Sequence, residues 1–223
     1  MKPLTFSIVC TLMLTGFALL TWISLPELEH YPVHWNAAGV ADGFAGRNAV
    51  LGVLMIIPVT LTFMTMLFHF IPSLEPLRQN FEDSRKAYHT IWIALIIFLT
   101  IIGIMICLPY KTEDGHSGTL VIRAVGIGTS LLFIGIGNVL ATVRQNFMLG
   151  IRTPWTLSSE LSWEKTHRLG GKLFVLAGVI GIIACALSPV KGLLASVFAV
   201  LAASIICAIY SYMIWKDDPH KRR

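Results

Sequence analysis

Six long apolar runs dominate the chain and are separated by short polar segments. The runs are Leu4–Leu25, Ala49–Ile71, Thr90–Leu108, Thr119–Ala141, Leu169–Leu187 and Leu193–Trp215. A helix needs about 20 apolar residues to cross a bilayer, and backbone groups in hydrocarbon must find hydrogen bonds within their own segment. The runs also lack the alternation of a membrane barrel. The pattern predicts an all-α, polytopic membrane protein with six transmembrane helices.

Composition supports this interpretation. Of the 223 residues, 55% are hydrophobic and 13% are charged, whereas soluble domains carry about 25% charged residues. The first run follows Lys2 as in a signal peptide, but it is longer than a signal h-region and no small-x-small cleavage site follows it. We therefore interpret it as a membrane helix.

Lysine and arginine are distributed unevenly between the two sides of the predicted helices. One set of alternate connecting segments contains only Arg47, Lys111 and Lys191. The other set contains all the remaining lysines and arginines except Arg123, which lies inside the fourth run. The positive-inside rule then places both termini in the cytoplasm of a cell membrane. Topology and contact with anionic lipid account for the net charge of +5, so we expect no direct nucleic-acid partner.

The chain divides into three predicted parts. Residues 1–72 form a helix pair with an outer loop, residues 89–215 form a four-helix membrane region with a long cytoplasmic loop, and residues 216–223 form a charged cytoplasmic tail. The segment between residues 72 and 89 has mixed charges and predicts a short solvated helix. Small residues recur every four positions at Ala177, Gly181 and Cys185, which predicts close helix packing.

The outer loop contains two histidines four residues apart, His30 and His34, with Asp42 beyond them. Imidazole and carboxylate groups suit zinc. However, Pro32 lies between the histidines and argues against the helix that would bring them together. We interpret the loop as a folded cap over the outer ends of the helices and expect no metal.

The cytoplasmic loop contains Thr153-Pro154, which forbids a continued helix because the residue before proline avoids the helical region. Ser158 or Ser159 then suits an N-cap, from which a helix runs unbroken into the fifth apolar run. On that helix Glu160, Glu164 and His167 are predicted to share one face. Glu-x-x-His is a spacing of carboxylate di-iron bundles, but a single copy is present, so we expect neither a di-metal site nor another cofactor.

Two interpretations of this loop remain open. In one, Trp155 and Trp163 anchor at the membrane interface while the arginines extend towards the aqueous phase. In the other, polar groups form a network at the cytoplasmic mouth of the fourth and fifth helices, where guanidinium groups could bind carboxylates or phosphates. That network would contain Asn138, Arg144, Asn146, Arg152, Thr153 and Thr166.

The same segment resembles the signature of the SdpI family of bacterial membrane proteins. The matching residues are Gly137, Asn138, Asn146, Gly150, Ile151, Arg152, Thr153, Pro154, Trp155, Thr156, Leu157, Trp163, Thr166, His167 and Gly171. The outer loop resembles the small N-terminal domain of unknown function that often precedes this signature. The matching residues there are Pro32, His34, Trp35, Asn36, Gly39 and Asp42.

The resemblance implies a non-enzymatic protein for immunity and signal transduction. Such a protein protects the cell from a secreted toxic peptide and holds a cytoplasmic transcriptional repressor at the membrane. The outer residues just named would then sense the peptide. The cytoplasmic partner would meet Asn138, Arg144, Asn146, Gly150, Arg152, Thr153, Pro154, Trp155, Thr156, Trp163, Glu164, Thr166 and His167.

Two other functions are compatible with parts of the sequence. A transporter or channel could use Asn138, Arg123 and the inner mouth, but charge inside the predicted membrane runs is sparse. A membrane-embedded hydrolase could use Glu164 with His167, or His30 with His34. However, the chain has no nucleophile elbow, no H-E-x-x-H motif and no paired aspartates, so no catalytic residue is assigned.

Overall fold

The computed structural model describes residues 2–36, 39–111 and 117–221. Its elements in chain order are α1 (Pro3–Ile23), β1 (Tyr31–Trp35), β2 (Ala41–Ala45), α2 (Arg47–Leu74), α3 (Arg78–Asp83), α4 (Arg85–Cys107), α5 (Ser117–Leu140), α6 (Pro154–Ser158), α7 (Glu160–Leu187) and α8 (Pro189–Lys216). A 3₁₀ turn, Leu108–Tyr110, follows α4. Helices α1, α2, α4, α5, α7 and α8 are long and apolar enough to cross a membrane, which confirms the predicted architecture.

Several membrane helices are longer than their apolar runs. Helix α4 begins at Arg85 and α7 at Glu160, so both start with polar turns before their apolar runs. Ser159 is the N-cap of α7, and its hydroxyl accepts a hydrogen bond from the Ser162 N–H at 2.9 Å. The predicted unbroken helix into the fifth run is therefore confirmed.

The membrane helices form two groups of three. Helices α1, α2 and α4 pack around a cluster of large side chains that includes Leu14, Leu61, Tyr88, Trp92 and Ile96. Helices α5, α7 and α8 form the second group, and α4 joins the two because it also packs against α5. Helix α4 therefore packs against α1 and α2 as well as against α5, although most of it lies in the predicted four-helix region, residues 89–215.

Small residues hold the second group together, as their spacing predicted. A methyl group on Gly171 would lie 2.7 Å from the Gly137 carbonyl oxygen, and one on Gly178 would lie 2.5 Å from the Ser130 carbonyl oxygen. Cys185 is buried against Gly126 and Gly192. Backbones at this separation leave no room for larger side chains, so this interface depends on glycine.

The outer loop is a folded cap built on an antiparallel hairpin, β1–β2. Tyr31 is buried in a cluster that also includes Ala18, Val50 and Cys107. The Tyr110 hydroxyl donates a hydrogen bond to the Pro32 carbonyl at 2.7 Å. The cap was predicted, but its strands were not, because a five-residue strand with a proline gives little periodic signal.

Candidate functional site

The loop between α5 and α7, residues 141–159, is shaped by one buried amide. Asn146 is fully buried. Its Oδ1 accepts hydrogen bonds from the N–H groups of Met148 at 2.9 Å and Leu149 at 2.6 Å, and its Nδ2 donates to the Arg144 carbonyl at 2.7 Å. A side chain that bonds its own neighbouring backbone in this way stabilises a tight turn. Asn146 therefore fixes the course of the α5–α7 loop.

A buried carboxylate ties this loop to the other half of the chain. Glu75, only 2% exposed, lies just beyond α2. One of its oxygens accepts from the Leu77 N–H and the other from the Phe147 N–H, both at 2.9 Å. A buried carboxylate needs such donors because desolvation of an uncompensated charge is costly. These bonds therefore satisfy Glu75 and fasten the loop in one position.

Two more hydrogen bonds join the same segments. The Asn80 amide donates to the Gln145 carbonyl at 2.8 Å, and the Arg144 N–H donates to the Ser84 hydroxyl at 2.8 Å. Gln145 in turn donates from its side chain to the Thr156 carbonyl at 2.7 Å. The segment around α3 is thus part of the site, although its mixed charges had indicated only a solvated helix.

On its other side the loop is held by α7. The Trp163 indole donates to the Val143 carbonyl at 2.7 Å, and its ring stacks on His167 with centroids 4.0 Å apart. His167 donates from Nδ1 to the Trp163 carbonyl at 2.8 Å, while Nε2 accepts from the Ile151 N–H at 3.0 Å. The Nε2 contact requires an unprotonated nitrogen, so this geometry selects the neutral Nδ1–H tautomer.

Gly150 is required where the loop passes this histidine. Its φ angle is +115°, a conformation that L side chains rarely adopt. A methyl group here would also overlap Nε2 of His167 and lie 3.2 Å from the Trp163 ring. Both backbone conformation and space therefore demand glycine at this signature position.

The TPWTL part of the signature builds the short helix α6. Thr153 is its N-cap and forms a capping box with Thr156, while Pro154 stands at the first helical position. The Thr153 hydroxyl also lies 2.9 Å from the Ser211 hydroxyl of α8. Trp155 packs edge-on against Tyr212, with centroids 5.2 Å apart. These contacts attach α6 to α8.

Charged side chains around the loop face outward and line two cavities. Arg144 and Glu164 form an ion pair at 3.5 Å beside a cavity of about 520 Å³, which Arg168 also lines. A second cavity of about 570 Å³ shares Glu164 and extends to Asp218. The surface of the site is thus hydrophilic, whereas its interior is buried and hydrogen-bonded.

The structure brings together only part of the predicted network. Asn146 and Thr153 form hydrogen bonds at the site, as described above. Asn138 is exposed on α5, and its side chain forms no hydrogen bond within residues 2–36, 39–111 and 117–221. Thr166 is buried, and its hydroxyl has no hydrogen-bond partner in that part of the chain. The helical spacing placed Asn138 near the mouth but could not show which way its side chain faces.

The three residues predicted to share one face of α7 differ in burial. Glu160 and Glu164 are exposed and line a cavity, but His167 is 1% exposed and turned towards the loop. Arg152 is exposed and donates one guanidinium N–H to the Phe147 carbonyl. Part of its hydrogen-bonding capacity therefore stabilises the loop itself.

The outer residues lie together on the hairpin. His34 Nδ1 and Asp42 Oδ1 are 2.6 Å apart across the strands, and Trp35 packs edge-on against Tyr110. Gly39 has a φ angle of +79°, and a methyl group there would lie 2.5 Å from the Thr119 backbone nitrogen. Asn36 closes the turn through its N–H to the Val40 carbonyl at 2.9 Å. The last of these residues is Pro32, whose carbonyl accepts the hydrogen bond from the Tyr110 hydroxyl.

Within the described residues, no three histidine, cysteine, aspartate or glutamate side chains are close enough to hold an ion. His30 lies 3.8 Å from Glu29 instead of joining the pair of His34 and Asp42.

Six apolar helices and a hydrogen-bonded loop on one side define a multi-pass protein of the cell membrane. The SdpI/YfhL protein family model matches residues 142–213, which cover most of the α5–α7 loop and nearly all of α7 and α8. The chain is also 25% identical over 209 residues to "Immunity protein SdpI" of Bacillus subtilis (strain 168), spanning 94% of this chain and 93% of that protein. The resemblance to the SdpI family is thus confirmed. No solved structure matches the chain.

Proposed function

We propose that this chain is a membrane immunity and signalling protein that protects the cell against a secreted toxic peptide. The similarity to an immunity protein along nearly the whole chain supports this proposal. The division of the molecule into an outer hairpin and an ordered loop on the other side gives it two separate faces on which to act. The proposed activity is binding, without a catalytic step.

The outer face would receive the peptide. His34 and Asp42 are exposed on the hairpin, next to Trp35 and the turn at Asn36. With the positive-inside orientation, this hairpin is the part of the described chain that a peptide arriving from outside meets first. The hairpin is also ordered by Tyr110 and α5, which lowers the entropy lost on binding.

The α5–α7 loop would bind a cytoplasmic protein. The hydrogen bonds that hold this loop in one position are the main support for this role. Three buried polar residues in and around the loop, Glu75, Asn146 and His167, have hydrogen-bond partners within the chain, whereas the side chains of Arg144 and Glu164 are exposed. A rigid interior with charges on the surface suits docking of a protein. A transport path would instead need polar groups directed into a passage between helices. By the resemblance, the partner is a transcriptional repressor held at the membrane.

The direct experiment is a survival assay. Cells that lack the gene are compared with cells that carry it after exposure to the peptide fraction secreted by neighbouring or sibling cells. We expect the gene to raise survival at least about tenfold. A His30→Ala form is the matched control and should protect like the wild type, because His30 is exposed beside the hairpin and its side chain forms no hydrogen bond with the described residues. Equal survival with and without the gene in every toxic fraction would contradict the proposal.

A further inference from the structure

An apolar groove runs between α1 and α2 on their exposed side. Its volume is about 450 Å³, and its walls extend from Leu4 to Leu12 on α1 and from Thr62 to Phe70 on α2. Leu12 and Phe70 are 67% and 59% exposed. Both helices are long and apolar enough to cross a membrane, so this face lies in the bilayer and its occupant is a lipid or another membrane helix.

The groove is apolar although three threonines line it. The hydroxyls of Thr11, Thr62 and Thr65 each donate to the carbonyl four residues earlier in the same helix, at distances between 2.7 and 2.9 Å. Their O–H donors are therefore used within the helices. A groove of this kind suits a hydrocarbon chain.

The length of the groove matches the depth of one leaflet. Residues 4–12 and residues 62–70 each span about 12 Å of helix, whereas the hydrocarbon of one leaflet is about 15 Å deep, half of a core of about 30 Å. The groove begins in the first turn of α1 and ends near the middle of that helix. A single acyl chain from one leaflet therefore fits it.

A second membrane helix fits this groove poorly. Helices in a bilayer pack where small residues let their backbones approach closely, as Gly137 and Gly171 do in this chain. The groove is instead bordered by Leu12, Met66 and Phe70, each more than half exposed. These bulky side chains hold a neighbouring backbone away but leave space between them for a flexible chain.

One polar ring, His69, lies towards the end of the groove near the start of α1 and the end of α2. Helix α2 ends at Leu74, so His69 lies about 8 Å before that end. Ionisable residues in membrane helices usually face the interior of the bundle, but His69 is exposed. Its ring packs edge-on against Phe70, and its nitrogens form no hydrogen bond within residues 2–36, 39–111 and 117–221. An ester or phosphate oxygen of a lipid is a suitable acceptor for its N–H at this depth.

The accessible charge at this end of the groove is positive. Lys2 immediately precedes α1 and Arg78 begins α3, and both are exposed. Glu75 is 2% exposed and accepts hydrogen bonds from two backbone N–H groups. Of the acidic residues on α3, Glu82 forms an ion pair with an arginine and Asp83 lines the cavity beside the α5–α7 loop. With the positive-inside orientation this end lies in the cytoplasmic leaflet, whose anionic lipids attract basic side chains.

We propose that this groove binds one acyl chain of an anionic phospholipid from the cytoplasmic leaflet. The chain lies between α1 and α2, His69 donates a hydrogen bond to an ester or phosphate oxygen, and Lys2 and Arg78 attract the headgroup. A lipid bound here stabilises the packing of α1 against α2, and these two helices carry the outer hairpin. The inference uses the orientation of the chain but does not depend on the immunity function.

The test uses the full chain in nanodiscs of phosphatidylcholine with a trace of phosphatidylglycerol that carries a photoreactive diazirine in one acyl chain. Labelled residues are mapped by mass spectrometry. The reference is residues 205–213 of α8, where Ile205, Ile209 and Met213 are each more than half exposed. We expect residues 4–12 and 62–70 to be labelled about tenfold more than the reference.

Two further measurements separate a bound lipid from bulk lipid. At a constant amount of probe, replacing part of the phosphatidylcholine by unlabelled phosphatidylglycerol should reduce labelling of the groove about fivefold and leave the reference unchanged. A phosphatidylcholine probe with the same diazirine chain should label the groove about threefold less than the anionic probe, because its headgroup has no net charge to attract Lys2 and Arg78.

Two pairs of variants locate the site. Thr62→Trp fills the groove and should lower labelling of residues 4–12 about tenfold. Leu67→Trp is its control, because Leu67 lies on the same helix at a similar depth, is partly exposed and does not line the groove. Lys2→Gln, which alters no packed side chain, should lower the preference for the anionic probe about threefold. Lys172→Gln, at an exposed position on α7, should leave that preference unchanged.

Three results with the wild type would overturn the inference: equal labelling of the groove and the reference, groove labelling that unlabelled phosphatidylglycerol does not reduce, or equal labelling by the two probes. An effect of Leu67→Trp as large as that of Thr62→Trp would also overturn it. A dimer whose residues 4–12 and 62–70 are protected from both probes would assign the groove to a second copy of this chain instead of a lipid.

Discussion

The Glu75 carboxylate accepts a hydrogen bond from the Phe147 N–H, 2.9 Å away, although the two residues belong to different halves of the chain. Because the same carboxylate also caps the Leu77 N–H, it fixes the α5–α7 loop against the end of α2. The position of the proposed docking surface therefore depends on a residue outside residues 142–213, the segment that the SdpI/YfhL family model matches.

Replacement of Glu75 by glutamine should destabilise this junction. Glutamine offers one oxygen, so one of the two backbone donors loses its partner, at a cost of about 1–3 kcal/mol. We expect a lower melting temperature in detergent and faster amide exchange at residues 145–149. Glu82→Gln is the control, because Glu82 forms an exposed ion pair with Arg85 of the kind worth about 0–1 kcal/mol. Equal effects of the two changes would contradict the role of Glu75.

Gly150→Ala should be more damaging than an ordinary glycine substitution. The φ angle of +115° strains any residue with a side chain, and the added methyl group would displace His167. We expect a loss of about 2–4 kcal/mol in stability, combining backbone strain with a broken hydrogen bond. In Gly135→Ala the methyl group meets open space in a helix, so stability should stay the same or rise slightly. Thermal unfolding of both variants gives the comparison.

The membrane helices could be predicted because each is a long apolar run, and that signal needs no tertiary information. An N-cap at Ser158 or Ser159 could be predicted because capping is local in sequence, and the structure shows that it is Ser159. Glu75 could not, because its partner Phe147 is distant in sequence and a lone carboxylate after a membrane helix resembles an ordinary solvated end. His167 was placed on the correct helix, but spacing alone did not show that it turns inward to the loop.

The orientation of the chain is a separate prediction. The lysine and arginine distribution places the hairpin outside and the α5–α7 loop in the cytoplasm. Reporter fusions after Asp42 and after Ser159 should therefore report opposite sides, with the second in the cytoplasm. Finding both fusions on one side would contradict the topology.

The C-terminal tail should detach from α7 at low pH. The Ser159 hydroxyl donates to Asp218 at 2.5 Å, and this bond lowers the pKa of the Asp218 carboxyl, with help from the His220 N–H. A carboxyl whose pKa is lower in the folded state contributes stability above its unfolded pKa and loses it as the pH falls through the folded pKa. The melting temperature of the wild type should thus fall more between pH 7 and pH 3 than that of Asp218→Asn. Parallel pH profiles of the two proteins would contradict a stabilising role for the bond between Ser159 and Asp218.

In the proposed function, peptide sensing and partner capture occupy separate surfaces on opposite sides of a bilayer about 30 Å thick. The most direct measurement scores survival under the toxic peptide and membrane recruitment of the cytoplasmic partner in the same strains, with membrane insertion of each variant verified. Trp35→Ala and Asp42→Ala should impair protection. Arg152→Lys and Glu164→Gln should lower recruitment about tenfold, since lysine lacks the planar fork of arginine, and at least one of them should retain protection. If all four inserted variants lost both activities together, the two surfaces would not be separate, and a single buried site, as in a transporter, would explain the protein better.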